Sequence, residues 1–549
     1  MYLAGTPVSM PYNQNSCENH TEAEGFFMRY VIDRTIGLRS WPRIPFACYV
    51  RGQAVPRLLT REEFGLLTLC DGQTELPDVT GTPAGEAARP RPDACGPGTD
   101  DPDGDARSAQ ATLLARLVAQ GLAHPATSGE RPDPWSAPRS YHNRLFHSMN
   151  WAVTGKCNLN CRHCFMAADS APMMGSFSWE ECLALLDECE RCGIQRLTLT
   201  GGEPLMHPHF ADLVREISRR GLDLVELNTN GILLTGEMLE ELQHLGQDTE
   251  IKVSFDGVGH HDWMRGVAGS EVKALAAMRM ACDMGFRVRT QTNVHRGNLS
   301  VMRATVRALD TMGVDRVRII RTTETPRWRS SSCGATLGIV EYYDAMLDLM
   351  ARLVEDDLDI AVDTWQFAYW TPRAGTYGYH PMQSSCARYR DSTPACRQTR
   401  GEVAVSYTGE IYPCNQMSGT LANLGVSLGN VKTTPLHDLL AAGPYYDLVT
   451  LPGGAIRAHV GNEPCRTCPY WPACVGGCRA MAFVLSGGDY RRHDPTKCAF
   501  FKGGYMAKVD EVLSRAARPY RCVNDVRGLD PAGEPASWDE VVAELGPFA

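Results

Sequence analysis

A regular alternation of short β-rich runs with helical segments constrains the fold of this chain more than any other feature. The runs lie between about residue 140 and residue 320, and helical periodicity fills the intervals between them. They are FHSMNWAV (146–153), LTLT (197–200), LVELNT (224–229), IKVSF (251–255), VRTQTNV (288–294) and VRII (317–320). Repeated strand–helix units require a parallel sheet with right-handed crossovers, either doubly wound or curled into a full or partial barrel. Ligands are then expected at the carboxyl ends of the strands.

The first crossover helix has a clear start signal in the sequence SWEE. Ser178 can cap the free backbone amides, and Glu181, three residues later, can return a hydrogen bond. The apolar positions Leu183, Leu186 and Cys189 are predicted to share its buried face.

The 549 residues, 43% of them apolar, predict several domains rather than one. We expect an N-terminal domain over 1–140, a strand–helix core over 141–375 and a Cys-rich domain over 376–549. In the first, IPFACYV and VPRLL are possible strands, and TREEFGLLTLC and ATLLARLVAQGL are predicted helices. Between the helices, a segment near 78–107 is so rich in Pro, Gly, Ala and Asp that we predict a disordered loop.

Composition narrows the compartment and the partners. A net charge of −10 provides no basic surface for nucleic acid or anionic membranes. No stretch approaches the ~20 apolar residues that span a bilayer, and the N-terminus lacks a signal-peptide pattern, so a soluble, cytoplasmic protein is expected. In that compartment, 21 cysteines indicate metal or redox sites rather than disulfides.

The most specific motif is GKCNLNCRHC, directly after the first predicted strand. It holds Cys157, Cys161 and Cys164, separated by three and then two residues. A 4Fe-4S cluster normally takes four thiolates, so three closely spaced ones leave one iron open for a ligand. A zinc site or three buried thiols is the alternative, although zinc loops favour paired two-residue spacings.

This motif resembles the signature of the radical S-adenosylmethionine (SAM) superfamily. The resemblance implies an α/β fold, a partial (β/α)6 TIM-like barrel. It also implies that Cys157, Cys161 and Cys164 hold a catalytic cluster whose open iron chelates SAM and cleaves it to a 5′-deoxyadenosyl radical.

The same resemblance implies a set of cofactor contacts. His163 would lie near the adenine, although a lone loop histidine carries little specificity. In LTLTGGEPL, Gly201, Gly202 and Glu203 would hold the methionyl amine; two glycines after a strand are otherwise only a turn. In VSFDGVGHHDWMRG, Ser254 and Arg265 would contact the ribose and the carboxylate, with a surface charge as the alternative for Arg265.

The C-terminal cysteines resemble the SPASM domain, which carries two auxiliary 4Fe-4S clusters. The pattern includes Cys396, Gly409, Cys414, the run CRTCPYWPACVGGC and Cys498. Carried over, it implies that Cys386, Cys396, Cys414 and Cys478 ligate the first cluster and that Cys465, Cys468, Cys474 and Cys498 ligate the second. Cys386 has a counterpart only in some relatives, and without it the first cluster has an open iron. The CxxC pair alone fits zinc equally well.

Ten further cysteines fit no cluster spacing and are interpreted as core or surface thiols. They are Cys17, Cys48, Cys70, Cys95, Cys182, Cys189, Cys192, Cys282, Cys333 and Cys522. Cys333, in a Ser-rich loop after the sixth strand, is also a candidate to face substrate.

Together the resemblances imply an oxidoreductase that matures a ribosomally made precursor peptide. The N-terminal domain resembles a winged-helix-like module that recognises leader peptides as an added strand. Sulfatase maturases place an aspartate base after the cysteine equivalent to Cys414, whereas this chain has Asn415, which cannot take a proton. We expect a Cys thioether crosslink, with carbon–carbon crosslinking, epimerisation, sulfatase-type maturation and a non-catalytic electron carrier as successive alternatives. A flavodoxin or ferredoxin would supply electrons.

Overall fold

The computed structural model describes residues 27–42, 44–51, 53, 56–80, 102–164, 175–323, 325–382, 389–396 and 401–524. The chain divides into two compact units. One comprises the described residues within 27–36 and 60–137, and the other comprises those within 37–59 and 138–524.

The first 140 residues contain short strands and two helices. In chain order they are β1 (Phe27–Ile32), β2 (Ile36–Trp41), β3 (Ile44–Val50), β4 (Arg57–Leu58), α1 (Arg61–Leu69), β5 (Asp71–Pro77), α2 (Pro102–Ala119), β6 (Ala123–Pro125) and β7 (Arg139–Ser140).

The smaller unit is an antiparallel three-stranded sheet, ordered β5-β1-β6, with α1 and α2. Thr60 and Glu63 form a capping box, which explains why α1 starts where TREEFGLLTLC predicts. The helix α2 begins at Pro102, inside the segment predicted as a loop, so that prediction is wrong for 102–107. Residues 81–101 of the same segment lie outside the described residues.

The core contains the strand–helix repeats. They are β8 (Ser148–Thr154), α3 (Trp179–Cys192), β9 (Arg196–Gly201), a 3-10 turn (Pro204–Met206), α4 (Phe210–Arg219), β10 (Asp223–Thr229), α5 (Gly236–His244), β11 (Glu250–Ser254), α6 (His261–Arg265), α7 (Ser270–Asp283), β12 (Val288–Val294), a 3-10 turn (Leu299–Val301), α8 (Met302–Met312), β13 (Arg316–Arg321), α9 (Pro326–Ser331), α10 (Ile339–Val354) and β14 (Ala361–Thr364).

Shorter elements follow. They are β15 (Ala368–Thr371), a 3-10 turn (Pro372–Ala374), β16 (Thr376–Tyr379), β17 (Glu402–Val405), β18 (Ile411–Tyr412), α11 (Asn415–Asn423), α12 (Leu436–Ala441), α13 (Pro444–Val449), α14 (Gly453–Ala458), α15 (Glu463–Arg466), α16 (Trp471–Cys474), α17 (Arg479–Leu485), α18 (Pro495–Lys502), α19 (Tyr505–Ser514) and β19 (Arg521–Cys522).

The larger unit is built on a twelve-stranded sheet, ordered β18-β17-β8-β9-β10-β11-β12-β13-β14-β15-β16-β19. The strands from β17 through β14 are parallel, and β8 to β13 are the six predicted strands. Beyond β14, β15 and β16 return as an antiparallel meander. A second, four-stranded sheet of this unit has the order β4-β3-β2-β7. The run IPFACYV is β3, whereas VPRLL contributes only β4.

Side chains from distant strands meet on one face of the large sheet, so the sheet is strongly curved. Glu226 of β10 forms an ion pair with Arg289 of β12, across the intervening β11. Lys252 of β11 interacts electrostatically with Glu402 on β17 and Asp363 on β14. We call this concave face the inner face; the opposite face packs its fully buried residues against the helices, as the alternating burial of β12 illustrates.

The helix α3 shows how the predicted pattern works in detail. Ser178 and Glu181 form the predicted capping box, and Gly193 ends the helix in a left-handed conformation. Leu186 and Cys189 are buried as predicted, but Leu183 is only half-buried. The buried face consists of Cys182, Leu185, Leu186, Cys189 and Cys192.

Among the helices of the described residues, none has the length and apolar character needed to cross a membrane.

Candidate functional site

The loop that carries Cys157, Cys161 and Cys164 leaves the carboxyl end of β8 and is held by backbone hydrogen bonds on two sides. On one side, the amides of Gly202 and Glu203 donate to the carbonyls of Thr154 and Lys156, both at 2.8 Å. On the other, the loop amides of residues 160 and 162 donate to the carbonyls of Arg265 and Met264 in α6. We call residues 155–164 the cluster loop.

The three thiols of the cluster loop are half-buried neighbours. Burial, and then the other two thiols and Glu203, raise the pKa of Cys157 to about 12 despite a backbone hydrogen bond. Burial also raises the pKa of Cys161, although Arg265 opposes this. The Arg265 Nη1 and the Asn230 Nδ2 donate to Cys161 Sγ and Cys157 Sγ at 3.7 and 4.0 Å. Metal binding would hold Cys157 and Cys161 as thiolates, and nearby donors are placed to stabilise the sulfur charge.

The two predicted glycines are required by the neighbouring loop. A β-carbon on Gly202 would lie 2.2 Å from the Lys156 carbonyl oxygen, and one on Gly201 would lie 2.3 Å from that of Thr154. Gly201 also has φ +149°. The two glycines thus let the backbone approach the end of β8 and the cluster loop. Their contact with a ligand stays a prediction.

Glu203 is fully buried and joins the ends of β9 and β10. Its carboxylate accepts from the Thr229 hydroxyl at 2.7 Å, the Asn230 amide at 2.7 Å and the Leu205 amide at 3.2 Å. Burial raises its pKa to about 7, although these hydrogen bonds oppose the shift. Its role toward a methionyl amine stays a prediction.

Arg265 is buried and its guanidinium points at the cluster loop. Its Nε lies 2.7 Å from Asp256 Oδ2, an ion pair whose alignment leaves both atoms without a proper hydrogen bond. Burial would raise the pKa of Asp256, but Arg265, His163 and His261 outweigh it and lower it. Asp256 is therefore a carboxylate that anchors Arg265 beneath the cluster loop, a role that sequence reasoning missed although Asp256 lies in the quoted motif.

His163 and Ser254 face the same end of the sheet. The His163 Nε2 is hydrogen-bonded to Asn293 Nδ2 of β12 at 3.0 Å. Burial lowers the pKa of His163 to about 3, so the ring is neutral. Ser254 is half-buried at the last position of β11, beside Gln291. Their contacts with adenine and ribose stay predictions.

The cysteines predicted for the first auxiliary cluster come together from three segments. Cys396, Cys414 and Cys478 are mutual neighbours whose charges interact. Burial, and then these thiols, raise the pKa of Cys414. Cys386, the fourth predicted ligand, lies outside the described residues.

The cysteines predicted for the second auxiliary cluster line one cavity. Cys465, Cys468, Cys474 and Cys498 surround it together with Trp471, Asp494 and Lys497. Burial raises the pKa of Cys465 to about 11 and also raises that of Cys474. Four thiols around one cavity fit a 4Fe-4S group. In the described part of the chain, no three His, Cys, Asp or Glu side chains converge closely enough around one point to hold a single metal ion.

Eight of the ten other cysteines lie within the described residues. Cys48, Cys70, Cys182, Cys189 and Cys192 are buried, Cys282 and Cys522 are half-buried, and Cys333 is exposed. Cys17 and Cys95 lie outside the described residues.

Charged side chains line the inner face of the curved sheet, and the sequence analysis did not identify them. Lys252 Nζ lies 3.4 Å from Glu226, and Arg318 Nε donates to Asp363 at 2.8 Å. Burial, and then Arg318, lower the pKa of Lys252 to about 8. A parallel strand that is buried on both faces normally has a continuous apolar sequence. The alternation of charged with apolar residues in these strands could therefore have predicted a charged inner face.

Comparison with known proteins matches both cysteine-rich regions to family models. Residues 151–309 match the radical SAM superfamily, and residues 396–469 match the SPASM iron-sulfur cluster-binding domain. An AdoMet-dependent heme synthase of Oleidesulfovibrio alaskensis is 26% identical over 341 residues, covering 61% of this chain and 83% of the relative. A PqqA peptide cyclase of Granulibacter bethesdensis is 26% identical over 373 residues, covering 66% and 89%.

Solved structures show the same fold. The chain is similar to the crystal structure of Streptococcus suis SuiB bound to the precursor peptide SuiA, with a TM-score of 0.58 and 13% identity. That similarity covers 85% of this chain and 99% of SuiB. It is also similar to anSMEcpe with bound AdoMet and a peptide, with a TM-score of 0.50 and 17% identity, covering 68% and 99%.

Proposed function

The chain belongs to the radical SAM superfamily and carries a SPASM domain, and we propose that it forms a thioether crosslink in a ribosomally made precursor peptide. The observation that supports a peptide substrate is the extent of the SuiB likeness, 85% of this chain against 68% for anSMEcpe. The thioether itself is the expectation of the sequence resemblance. SuiB was solved with its precursor peptide. The PqqA peptide cyclase is a second relative that acts on a peptide.

Radical SAM enzymes use a SAM-binding 4Fe-4S cluster, and SPASM domains add auxiliary clusters. When bound, these groups supply a carbon-centred radical that removes a hydrogen atom from the substrate and a route for the electron released later. In this chain, Cys157, Cys161 and Cys164 would hold the first cluster, with Arg265 and Asn230 donating to the sulfurs. Glu203 fixes the ends of β9 and β10 beside them.

The residues argue against a sulfatase-type reaction. Asn415 begins α11 directly after Cys414, and its amide cannot act as the base that an aspartate provides there in sulfatase maturases. A flavodoxin or ferredoxin would deliver the reducing electron, and the antiparallel sheet β5-β1-β6 offers edges for a leader peptide to join as a strand.

The test is a reaction of the reconstituted protein with a peptide. Protein reconstituted without oxygen is incubated with dithionite, SAM and the peptide encoded by the small open reading frame beside its gene. A peptide that loses two hydrogens and one free thiol supports the thioether, and loss of two hydrogens with the thiol intact indicates a carbon–carbon crosslink. An unchanged mass with altered stereochemistry indicates epimerisation, and no 5′-deoxyadenosine despite intact clusters would leave only electron transfer.

A second candidate function is the synthesis of a tetrapyrrole. It is favoured by the 26% identity over 341 residues to an AdoMet-dependent heme synthase. The same reconstituted protein is incubated with heme-precursor tetrapyrroles in place of the peptide. Turnover of a tetrapyrrole with an untouched peptide would replace the peptide proposal.

A further inference from the structure

A histidine–aspartate pair stands on the inner face of the sheet, beyond the six predicted strands. Asp363 lies in β14 and shares one row of strand pairings with Ser254, Gln291 and Arg318. The meander β15–β16 then brings Gly378 into this row, since Asp363 is paired with Tyr369 and Tyr369 with Gly378. His380 follows Gly378 by two residues, and its ring is hydrogen-bonded to Asp363. Asp363 therefore shares its row with Ser254, a predicted cofactor contact.

The hydrogen bonds of this pair fix the tautomer of the neutral histidine ring. His380 Nε2 is hydrogen-bonded to Asp363 Oδ1, while Arg318 Nε donates to Asp363 Oδ2 at 2.8 Å. Burial would raise the pKa of Asp363, but Arg318 and His380 outweigh it and lower it, so the group is a carboxylate. Nε2 must then carry a proton, and in the neutral ring this leaves a lone pair on Nδ1. Nδ1 makes no hydrogen bond to any described residue.

Packing holds the ring in position without covering it. The ring centroids of Trp365 and Tyr369 lie 4.9 and 5.2 Å from that of His380. The His380 amide donates to the carbonyl of buried Phe367 at 3.1 Å. The His380 side chain keeps 17% of its surface exposed. A fixed, accessible imidazole with an ionised carboxylate behind it is the arrangement of a general base.

We propose that His380 is a catalytic base that takes the proton of the substrate thiol, with Asp363 as its positioning residue. This assignment rests on the proposed function. In the balanced step, a substrate carbon loses a hydrogen atom to the radical that bound SAM would supply, and His380 Nδ1 accepts the S–H proton. The C–S bond would then form, and the one excess electron would pass to an oxidised iron-sulfur cluster held by the C-terminal cysteines. The peptide loses two hydrogens, and the base that Asn415 cannot supply comes from the turn that follows β16.

The test compares variants of the reconstituted enzyme, each incubated with the peptide encoded by the small open reading frame beside its gene. His380→Gln should keep the iron content and the formation of 5′-deoxyadenosine, because the amide can still donate to Asp363. Crosslink formation should fall by about 10² to 10⁴, the usual contribution of a positioned base. Added imidazole should restore crosslinking in His380→Ala. His437→Gln is the matched control, since His437 pairs with Glu188 at 2.9 Å on the outer helices.

The outcomes separate the two proposals. A wild-type enzyme that leaves the peptide uncrosslinked overturns the proposed function, and the base assignment falls with it. Crosslinking by wild type and by His380→Gln at equal rates overturns the base assignment alone. A loss without rescue by imidazole assigns His380 a structural role and also overturns it. If the His380→Gln variant loses iron, the Asp363→Asn variant is tested in its place. A crosslinking rate of Asp363→Asn equal to that of wild type contradicts the assignment.

Discussion

At Gly202, a β-carbon would lie 2.2 Å from the Lys156 carbonyl oxygen and 2.6 Å from that of Gly155. Both are backbone atoms of the cluster loop, so neither can move aside as a flexible side chain would. Gly202→Ala should therefore displace the loop that carries Cys157 and lower the iron content by about four per chain. Iron and sulfide analysis after reconstitution measures this. Gly236→Ala, whose nearest atom would lie 3.9 Å away, should retain all iron; full iron in Gly202→Ala contradicts the argument.

The Arg265–Asp256 pair makes a prediction about stability. Both side chains are buried, so Arg265→Gln leaves an unpaired carboxylate and should cost about 3–5 kcal/mol of unfolding free energy. In an Asp256→Asn background the same change should cost at least about 1 kcal/mol less. Urea unfolding of cluster-free protein measures the unfolding free energy of wild type, of the two single variants and of the double variant. Arg287→Gln breaks an exposed pair with Asp248 and should cost about 0–1 kcal/mol. Strictly additive effects of the two buried changes would mean that the pair does not couple.

At the scale of elements, Glu203 ties the ends of β9 and β10, and its raised pKa makes this tie pH-dependent. The pKa rises from 4.5 to about 7 in the folded protein, so the folded state holds a proton that the unfolded state has released. Stability should therefore fall by roughly 3 kcal/mol as pH rises from about 4.5 to about 7, and level off above it.

This dependence should disappear in Glu203→Gln and persist in Glu237→Gln, an exposed carboxyl in the first turn of α5. Thermal unfolding of cluster-free protein at pH 5 and pH 7.5 measures it for wild type and both variants. A wild type that gains stability relative to Glu203→Gln over this interval would falsify the assignment.

An element could be predicted from the sequence where the periodicity and capping of its own residues determine it. The strand Val288–Val294 matches its predicted span, and α3 begins at its predicted cap, because periodicity and capping are local properties. The meander β15–β16 and the pairing of β17 with β8 were missed, because short strands acquire their partners only through distant sequence. His380 and Asp363 belong to this second class: no spacing rule connects them, and only the return of the meander brings them together.

At the scale of the whole molecule, three groups of thiols occupy separate places in the larger unit. The cluster loop lies at the end of a long parallel sheet, whereas the C-terminal groups lie among helices of four to ten residues. Helices this short are not stable alone, and few long apolar segments support them, so metal binding is expected to contribute their stability. The sequence predicts the membership of each group through resemblance, and the structure adds the electrostatic environment of the thiols.

Separate groups should lose iron separately. Cys396→Ser and Cys474→Ser should each remove about four irons per chain, because each disrupts one set of neighbouring thiols. Both variants should still form 5′-deoxyadenosine, since the cluster loop is intact, but crosslinked peptide should be lost because the electron left after bond formation has no acceptor. Cys282→Ser, at a half-buried thiol in α7, is the control and should behave as wild type. Loss of about eight irons in either variant would show that the two C-terminal groups form one interdependent site.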